Sequence, residues 1–514
     1  MHYPLATAAL LTAALTTTPA SAGGITRTDG VLGTSVTYTL DGNPGLIYAF
    51  APSLTNGPTP LALFDPSDPR LLEVGLDLLS VWVLGSLDGA GQSTVFYPLP
   101  ASPGLQGLTL FSQFVELPLL PMTFGDISDL NSFVLALPGT STNTVGLNVE
   151  EFYGHSATVL ADGRVALIGG YDEVSGFTDA RDEIVIYDDQ TQSFSLATAT
   201  LTIARAAHTA TLLADGRVLV LGGANPANLI EASADIWDPA TDTVTAAPPM
   251  TAARTQHTAT LLNDGRVFVA GGLASFDFTD IVTALNSANE STELYDPVAN
   301  SWSAGPVMPK GRAAHGASLL GDGRVLLTGG LEVGSLFGIP TPEISDDCLR
   351  FDPGTGGFLP TASFSGRRAL HGQTTLNNGD AAIAGGADGV LILLSFFPLA
   401  STRVYDHVAD AWTNTADLAV PRGFLNLLNT GGSVVAIGGV SAVDLAGLTG
   451  TPTTAIEQSS QALLSWSSPG SMLLPRELGI STLIDGGQRV LTTGRGDNGS
   501  GGAVPELTAE LFVP

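Results

Sequence analysis

The stretch RAAHTATLLADGRVLVLGG, residues 205–223, decides the fold, because close variants of it recur along the chain at intervals of roughly fifty residues. In each variant a histidine is followed, 14 residues later, by the first glycine of a Gly-Gly pair. The histidines are His155, His208, His257, His315 and His371, and the glycines are Gly169, Gly222, Gly271, Gly329 and Gly385. A constant spacing inside variable intervals indicates one supersecondary unit that is repeated along the chain.

Each unit predicts four short β-strands. The segment HTATLL alternates between apolar and polar residues and ends at Asp215-Gly216, a dipeptide that predicts a two-residue hairpin in which both residues have positive φ. The return strand, residues 218–221, is apolar on both faces, so its sheet must be covered on both sides. A third strand ends at Tyr295-Asp296-Pro297, where proline stops the ladder, and a fourth carries Trp302.

Two less regular units follow the five regular ones, from Arg422 to Trp466 and from Arg476 to Phe512. Seven units of four strands predict an all-β protein with a seven-bladed β-propeller over residues 141–514. With their paired glycines and later aromatic pair, the units resemble kelch repeats of exported bacterial proteins and, distantly, the central propeller of galactose oxidase. Because the seventh unit lacks a fourth strand, we expect residues of about 141–149 to pair with residues 506–512.

The region before the repeats predicts two further segments. Residues 1–22 have a short apolar run and end in Ala20-Ser21-Ala22, which predicts a signal peptide that is cleaved near Ala22 and a secreted or cell-surface protein. No later segment predicts a transmembrane helix. Residues 23–140 contain alternating runs separated by turn residues, as in residues 35–40, and predict a small β-sandwich-like domain.

Charge and cysteine content exclude several classes of partner and chemistry. The chain has 49 acidic and 19 basic residues and a net charge of −30, which repels DNA and RNA and argues against both as partners. The single cysteine, Cys348, excludes an intrachain disulfide framework and is expected to be a buried apolar side chain.

The repeated histidines and arginines have a structural interpretation. Equivalent positions on stacked sheets lie about 10 Å apart, whereas metal ligands must each reach about 2 Å from one ion. We therefore expect one internal hydrogen bond per histidine and no metal site at these residues. For the arginines three residues before the histidine position and after the hairpin turns, we expect acidic and backbone partners, with an anion-binding ring as the alternative.

The resemblance to kelch proteins also implies an enzymatic alternative, since some secreted members are copper radical oxidases. That family uses two tyrosines, two histidines and a cysteine crosslinked to a tyrosine, with one ligand from a domain after the propeller. Here Cys348 stands in a third strand, and Tyr187, Tyr295 and Tyr405 occupy a repeated core position. We expect no catalytic residues and no cofactor, although acidic loops such as Asp172-Glu173 leave calcium as an alternative.

Sequence that fails to repeat is the better guide to function, because binding residues favour loops on a rigid scaffold. The connections after the Gly-Gly pairs, residues 273–290, 331–347 and 387–399, are long and rich in apolar residues. An exposed apolar segment indicates either a partner or cover by the protein itself, here the blade or the N-terminal domain. The candidate binding residues are Phe276, Asp280, Phe337, Leu394, Phe396 and Phe397.

These observations predict an exported, non-enzymatic binding or adhesion scaffold that holds a protein or glycan with its propeller loops. One alternative is a secreted carbohydrate-active or oxidase-like propeller enzyme. A second alternative is a structural component of the cell surface.

Overall fold

The computed structural model of the protein describes residues 24–28, 35–54, 56–60, 70–74, 82–102, 105–106, 108–117, 127–128, 131–143, 152–172, 180–275, 281–336, 339–390, 395–444, 449–496 and 509–514. The predicted signal peptide lies outside these residues. The chain divides into two compact units, one comprising Met1–Pro138 with Asp189–Gln192 and the other Gly139–Asp188 with Ser193–Pro514. No helix in the described ranges is long and apolar enough to cross a membrane.

The first unit contains nine described strands in three sheets, with the orders β1-β2-β7, β6-β3-β8-β9 and β4-β5. The strands are β1 Gly24–Thr28, β2 Ser35–Asp41, β3 Ile47–Ser53, β4 Asn56–Pro60, β5 Leu71–Val74, β6 Val83–Ser86, β7 Gln92–Pro98, β8 Thr109–Leu117 and β9 Asn131–Val134. Alternate residues of β2, among them Val36 and Tyr38, share one apolar cluster with Phe50 and Phe114 of the β3-β8 sheet. The alternation in the sequence therefore corresponds to one buried face of each of these two sheets.

The second unit is built almost entirely of strands, with one short helix, α1 Ile281–Asn286, and a 3-10 turn at Asp485–Gly487 among its described residues. The strands of the first four repeats are β10 Ser141–Asn143, β11 Phe152–Tyr153, β12 Ser156–Val159, β13 Val165–Ile168, β14 Tyr171–Asp172, β15 Ile184–Asp188, β16 Ser193–Leu196, β17 Thr209–Leu212, β18 Val218–Leu221, β19 Ala234–Asp238, β20 Thr243–Ala247, β21 Thr258–Leu261, β22 Val267–Ala270, β23 Thr292–Asp296, β24 Ser301–Ala304, β25 Arg312–Ala313, β26 Gly316–Leu319, β27 Val325–Thr328, β28 Leu331–Leu336, β29 Ile339–Ile344, β30 Cys348–Asp352 and β31 Gly357–Leu359. The strands of the remaining repeats are β32 Gly372–Thr375, β33 Ala381–Ala384, β34 Ala387–Val390, β35 Ser395–Pro398, β36 Thr402–Asp406, β37 Ala411–Asn414, β38 Asn426–Asn429, β39 Ser433–Ile437, β40 Val440–Asp444, β41 Thr449–Pro452, β42 Ala455–Ser460, β43 Ser467–Ser471, β44 Arg476–Ile484, β45 Arg489–Gly496 and β46 Glu510–Phe512.

Each repeat of the sequence corresponds to one four-stranded antiparallel sheet, as expected for a β-propeller. The sheets have the orders β12-β13-β15-β16, β17-β18-β19-β20, β21-β22-β23-β24, β26-β27-β30-β31, β32-β33-β36-β37, β38-β39-β42-β43 and β44-β45-β46-β10. The second strands are buried along their whole length, as in residues 218–221, because a neighbouring sheet covers each face. The first strands contact one another in the cycle β12-β17-β21-β26-β32-β38-β44-β12.

The last of these sheets contains strands from both ends of the repeat region. Ser141 pairs with Phe512 and Thr142 pairs with Leu511, while β46 pairs with β45 on its other side. The pairing expected between residues of about 141–149 and 506–512 is therefore confirmed. It removes an open edge of β46 that would otherwise attract another strand.

The hairpin turns differ from the prediction in one respect. Gly216 has a φ of 87°, but Asp215 does not have a positive φ. The N–H of Leu213 bonds the carbonyl of Arg217, and the N–H of Gly216 bonds the carbonyl of Leu213. Such a longer loop needs the left-handed conformation only at glycine, so the prediction of a two-residue turn with two positive φ angles is wrong.

The long connections after the Gly-Gly pairs also differ from their interpretation as loops. Residues 331–336 pair with 339–344, and residues 387–390 pair with 395–398, so both connections form β-hairpins. A third hairpin, residues 440–444 with 449–452, belongs to the next repeat. Apolar alternation inside these connections, as in Leu331 and Val333, gives each hairpin one face to bury.

Candidate functional site

Helix α1 and the strands of the three hairpins form one continuous series of contacts, here called the hairpin wall; its described residues are 281–286, 331–336, 339–344, 387–390, 395–398, 440–444 and 449–452. Helix α1 contacts both β28 and β29, and β29 contacts β34. β35 pairs with β40 at Ser395 and Asp444, and β41 contacts β44. All four members follow the Gly-Gly ends of the second strands of consecutive repeats. Four insertions therefore lie at the same end of neighbouring sheets, which makes the wall the main departure from the repeat.

Two adjacent phenylalanines of the wall have opposite environments. Phe396 is 8% exposed and packs with Leu331, Ile344 and Ala387, so it joins two hairpins through one apolar cluster. Phe397 is 60% exposed, because successive residues of a strand face opposite sides. Of the two, only Phe397 is available to a partner, whereas Phe396 is covered by the wall itself.

The remaining candidate binding residues cannot be placed in the same way. Phe276, Asp280, Phe337 and Leu394 lie outside the described residues. Their neighbours in sequence, Ser275, Leu336 and Ser395, are described and belong to or adjoin the wall. These four residues remain predictions.

The repeated histidines connect neighbouring sheets. Nε2 of His257 lies 2.9 Å from Thr209 Oγ1, and Nε2 of His208 lies 3.0 Å from Ser156 Oγ. The same contact joins the remaining pairs, His155 with Thr493 at 2.8 Å, His315 with Thr258 at 3.0 Å and His371 with Thr328 at 2.7 Å. The expectation of one hydrogen bond per histidine is confirmed, but each bond crosses from one sheet to the next instead of staying within its own.

Burial keeps these histidines uncharged. Desolvation and the positive charge of Arg254 lower the pKa of His257 to about 3, and desolvation and Arg368 do the same for His371. The pKa values of His208 and His315 are lowered by the same causes. A neutral imidazole that is already engaged at Nε2 is a structural group and is poorly suited to proton transfer at neutral pH.

The arginines three residues before the histidine position are buried and hold their own sheet together. Arg254 donates from Nη1 to the carbonyl of Gly271 at 2.7 Å and from Nη2 to Glu293 Oε1 at 2.6 Å. Glu293 in turn accepts the N–H of Thr251 at 2.8 Å. Equivalent ion pairs join Arg205 to Asp235 at 3.0 Å, Arg422 to Glu457 at 3.2 Å and Arg476 to Glu510 at 3.3 Å.

Two of the six sheets that carry this arginine lack the ion pair. Arg312 has Leu349 at the position of the acidic partner, and Arg368 has Arg403 there. Arg312 bonds the carbonyls of Gly329 and Asp347, each at 3.3 Å. Burial and the nearby charge of Arg403 lower the pKa of Arg368 to about 9. The predicted acidic partner is thus confirmed for four of the six arginines that precede the histidine position. Arg312 and Arg368 bond backbone carbonyls.

Four of the arginines that follow the hairpin turns are partly exposed and pair locally. Arg217 lies 2.6 Å from Asp215, and Arg266 lies 2.6 Å from Asp264, both across the hairpin turn. Arg164 and Arg324 make the same pair at 2.7 Å. Exposed pairs of this kind contribute at most about 1 kcal/mol each and leave no ring of free cations for an anion.

The sequence analysis missed one cluster of possible ligands, Asp380, Asp406 and His407. These residues offer ligand atoms that all lie within 4.8 Å of one another. In the described part of the chain they form the one group of three or more histidine, cysteine, aspartate or glutamate side chains that meets this distance. The signal was present in the sequence, because Asp380 stands where the other turns have arginine and His407 stands where Pro297 ends a third strand.

The comparisons with known proteins concern the fold. No protein-family model and no curated protein sequence matches the chain. A solved fungal alcohol oxidase of the AA5 family, in complex with copper, is similar with a TM-score of 0.55 and 18% identity over 73% of this chain and 76% of its own. The structure of YjhT has a TM-score of 0.45 and 16% identity over 62% of this chain and 97% of its own. The similarity to the alcohol oxidase supports the propeller fold alone.

Cys348, Tyr295, Tyr405 and the five repeat histidines all make contacts within the repeats. Cys348 is buried beside Phe364 and Tyr405, and burial raises the pKa of its thiol to about 12. Tyr405 donates from Oη to Asp410 at 2.6 Å, just as Tyr295 donates to Asn300 at 2.7 Å. Because the five repeat histidines also have their own hydroxyl partners, these described residues do not fit a copper ligand set.

Proposed function

We propose that the protein is an exported, non-enzymatic scaffold that binds a protein or glycan partner with the hairpin wall. In this proposal residues 1–22 are a signal peptide, residues 23–140 form a β-sandwich-like domain and residues 141–514 form a seven-bladed kelch-like propeller. The cyclic contacts of the seven first strands support the propeller, and the strand supplied by residues 141–143 supports its closure.

One observation carries the binding role. The histidines and arginines that recur from sheet to sheet are engaged in internal bonds, as His257 is with Thr209 and Arg254 with Glu293. The hairpin wall is the part that does not recur, and it presents Phe397, an aromatic side chain that is 60% exposed. Extra hairpins at one end of a rigid scaffold, together with an exposed aromatic side chain, are typical of a binding surface.

Binding can be tested with purified protein on glycan arrays and on a panel of immobilised extracellular proteins. We expect Phe397→Ala to weaken binding of the selected partner at least tenfold while the melting temperature stays unchanged. Val298→Ala is the matched control, because Val298 is a 96% exposed apolar residue in the turn at the other end of its sheet. Binding that Phe397→Ala and Val298→Ala leave equally intact would contradict the proposal.

The enzymatic alternative rests on the similarity in fold to a copper-containing alcohol oxidase. Metal analysis and an alcohol-oxidation assay on protein purified with copper test it. Stoichiometric copper together with turnover would favour the oxidase-like alternative over the scaffold. A protein that binds no partner and has no activity would instead favour a structural role at the cell surface.

A further inference from the structure

Asp380, Asp406 and His407 lie at one end of the sheet β32-β33-β36-β37. Asp380 directly precedes β33, and Asp406 is the last residue of β36. The two strands are antiparallel neighbours with Ala381 opposite Tyr405, so the turn before β33 and the turn after β36 meet at the same end of the sheet. The three side chains come together because of this register.

This sheet differs from the others at both turns. In the four preceding sheets the first turn holds an aspartate–arginine pair such as Asp264 and Arg266, but here Asn378 and Asp380 replace it. In three of those sheets the second turn continues from aspartate to proline, as in Asp296-Pro297, but here it continues to His407. Compared with those three sheets, this sheet lacks a cation and a proline and has a carboxylate and an imidazole at one place.

The geometry holds two of the groups firmly. Nδ1 of His407 lies 2.7 Å from Asp380 Oδ1, which also accepts the N–H of His407 at 3.0 Å. Asp380 Oδ2 accepts the side-chain amide of Asn378 at 2.6 Å. The side chains of His407 and Asp380 are 13% and 12% exposed, so both are mostly removed from water.

The third group faces solvent and is also preorganised. Asp406 is exposed, and its Oδ1 accepts the N–H groups of Val408 at 2.9 Å and Ala409 at 2.8 Å. These hydrogen bonds lower the pKa of Asp406 and favour its ionised form. No described lysine or arginine forms an ion pair with Asp380 or Asp406, and the basic group that contacts Asp380 is His407 itself.

The donor set selects a class of ion. One imidazole nitrogen and two carboxylate oxygens suit zinc and similar first-row divalent ions, whereas calcium and magnesium prefer oxygen ligands alone. Ligand atoms at about 2 Å from a shared ion are about 3 Å apart. The ligand atoms of the three residues all lie within 4.8 Å of one another, and an ion held by His407 Nδ1 and Asp380 Oδ1 would replace the hydrogen bond between them. Three protein ligands and an exposed side leave a coordination position for water.

We propose that Asp380, Asp406 and His407 bind one divalent transition-metal ion of the zinc class at this end of the sheet. The ion joins the turn before β33 to the turn after β36. This site is separate from the hairpin wall, which lies at the Gly-Gly end of the same strands, so it does not depend on the proposed binding function.

The sequence supplies its own test variants. His407→Pro and Asp380→Arg install the residues that other sheets carry at these positions, so both changes are compatible with the fold. Asp406→Asn keeps an Oδ1 that can accept the N–H groups of Val408 and Ala409, but it removes the negative charge. Asp296→Asn is the matched control. Asp296 Oδ1 accepts the equivalent N–H groups of Val298 at 2.9 Å and Ala299 at 3.0 Å, in a sheet that has proline in place of the histidine.

Isothermal titration of untagged, metal-free protein with Zn²⁺ measures the site, and circular dichroism in chelator checks that each variant folds. We expect one Zn²⁺ per chain for the wild type and for Asp296→Asn, at least tenfold weaker binding for Asp406→Asn and no binding for His407→Pro or Asp380→Arg. Absence of stoichiometric binding in the wild type, or unchanged binding in folded His407→Pro, would overturn the proposal. Tighter binding of Ca²⁺ or Mg²⁺ than of Zn²⁺ would overturn the assigned class of ion.

Discussion

Nε2 of His257 and Oγ1 of Thr209 lie 2.9 Å apart although the two residues belong to neighbouring sheets. Four more histidines make the same kind of contact, which places a polar bond beside the apolar contacts between neighbouring sheets. Each imidazole must remain neutral to stay buried. Sheet-to-sheet packing is therefore coupled to pH.

Acid should destabilise the protein through these histidines. The pKa of His257 is about 3 in the folded state and about 6.5 when unfolded, so the unfolded state binds more protons between these values. The free energy of unfolding is therefore expected to fall as pH decreases below about 6.5, by up to about 1.4 kcal/mol per pH unit for each such histidine. Urea unfolding at pH 7.5 and 5.0 measures the loss. In His257→Gln the loss should be smaller by about 2 kcal/mol, and an equal loss in both proteins would contradict the prediction.

Removing one partner of a buried ion pair should be costly. Glu293→Leu installs the residue that the next sheet has at position 349, leaves Arg254 charged and buried, and should lower the free energy of unfolding by about 3–5 kcal/mol. The double variant Arg254→Met/Glu293→Leu should recover at least half of this loss. Arg266→Ala, which breaks an exposed pair at 2.6 Å, is the control and should cost less than about 1 kcal/mol. A cost for Glu293→Leu as small as that of the control would contradict the importance of the buried pair.

Trp302 should contribute a hydrogen bond between sheets as well as apolar contact. Its ring lies 5.0 Å from that of Tyr295, and its Nε1 donates to the carbonyl of Pro248 at 2.7 Å. Trp302→Phe should lower the free energy of unfolding by about 1 kcal/mol through loss of this bond, and Trp302→Ala by about 3 kcal/mol. Chemical unfolding measures both, with exposed Leu464→Ala as a control that should change stability by less than about 0.5 kcal/mol. Unchanged stability of Trp302→Ala would refute the packing role.

The strand β46 should be essential for the sheet that both ends of the repeat region supply. Removing residues 509–514 takes β46 from between β45 and β10 and exposes Val490 and Leu491, which are buried in the intact sheet. We expect the second unit to lose its cooperative thermal unfolding, since two unpaired strand edges and an apolar face would meet water. A truncated protein that melts cooperatively at the original temperature would show that the closing strand is dispensable.

The repeat pattern was sufficient to predict the four strands of each sheet, because the 14-residue spacing of His208 and Gly222 recurs around a hairpin turn and an aromatic residue such as Trp237 follows each time. It also predicted the pairing of the end strands, since one unit lacked a strand. The direction of the histidine bond could not be predicted, because a one-dimensional repeat does not distinguish a partner in the same sheet from an equivalent partner in the next one.

The departures from the repeat were harder to interpret. Apolar residues such as Phe396 marked the long connections, but the pairing of one connection with the next, at Ser395 and Asp444, arises only when sheets stand side by side. Asp380 and His407 are 27 residues apart in sequence, and their proximity follows from the register of β33 and β36. Neither residue is a candidate on its own, because the chain folds both to one end of the sheet only through this register.

The adjacency of β10 and β46 has a consequence for the order of the repeats along the chain. Residues 141–143 and 510–512 are neighbouring strands of one sheet, so the two ends of the repeat region are adjacent and no sheet is structurally the first. A circular permutant that links residue 514 to residue 139 by a short flexible peptide and opens the chain between two other sheets, after residue 249 for example, would contain the same seven sheets. The set of sheets would then not depend on which sheet comes first along the chain. The junctions between sheets would also be positions at which the repeat region could accept an inserted domain.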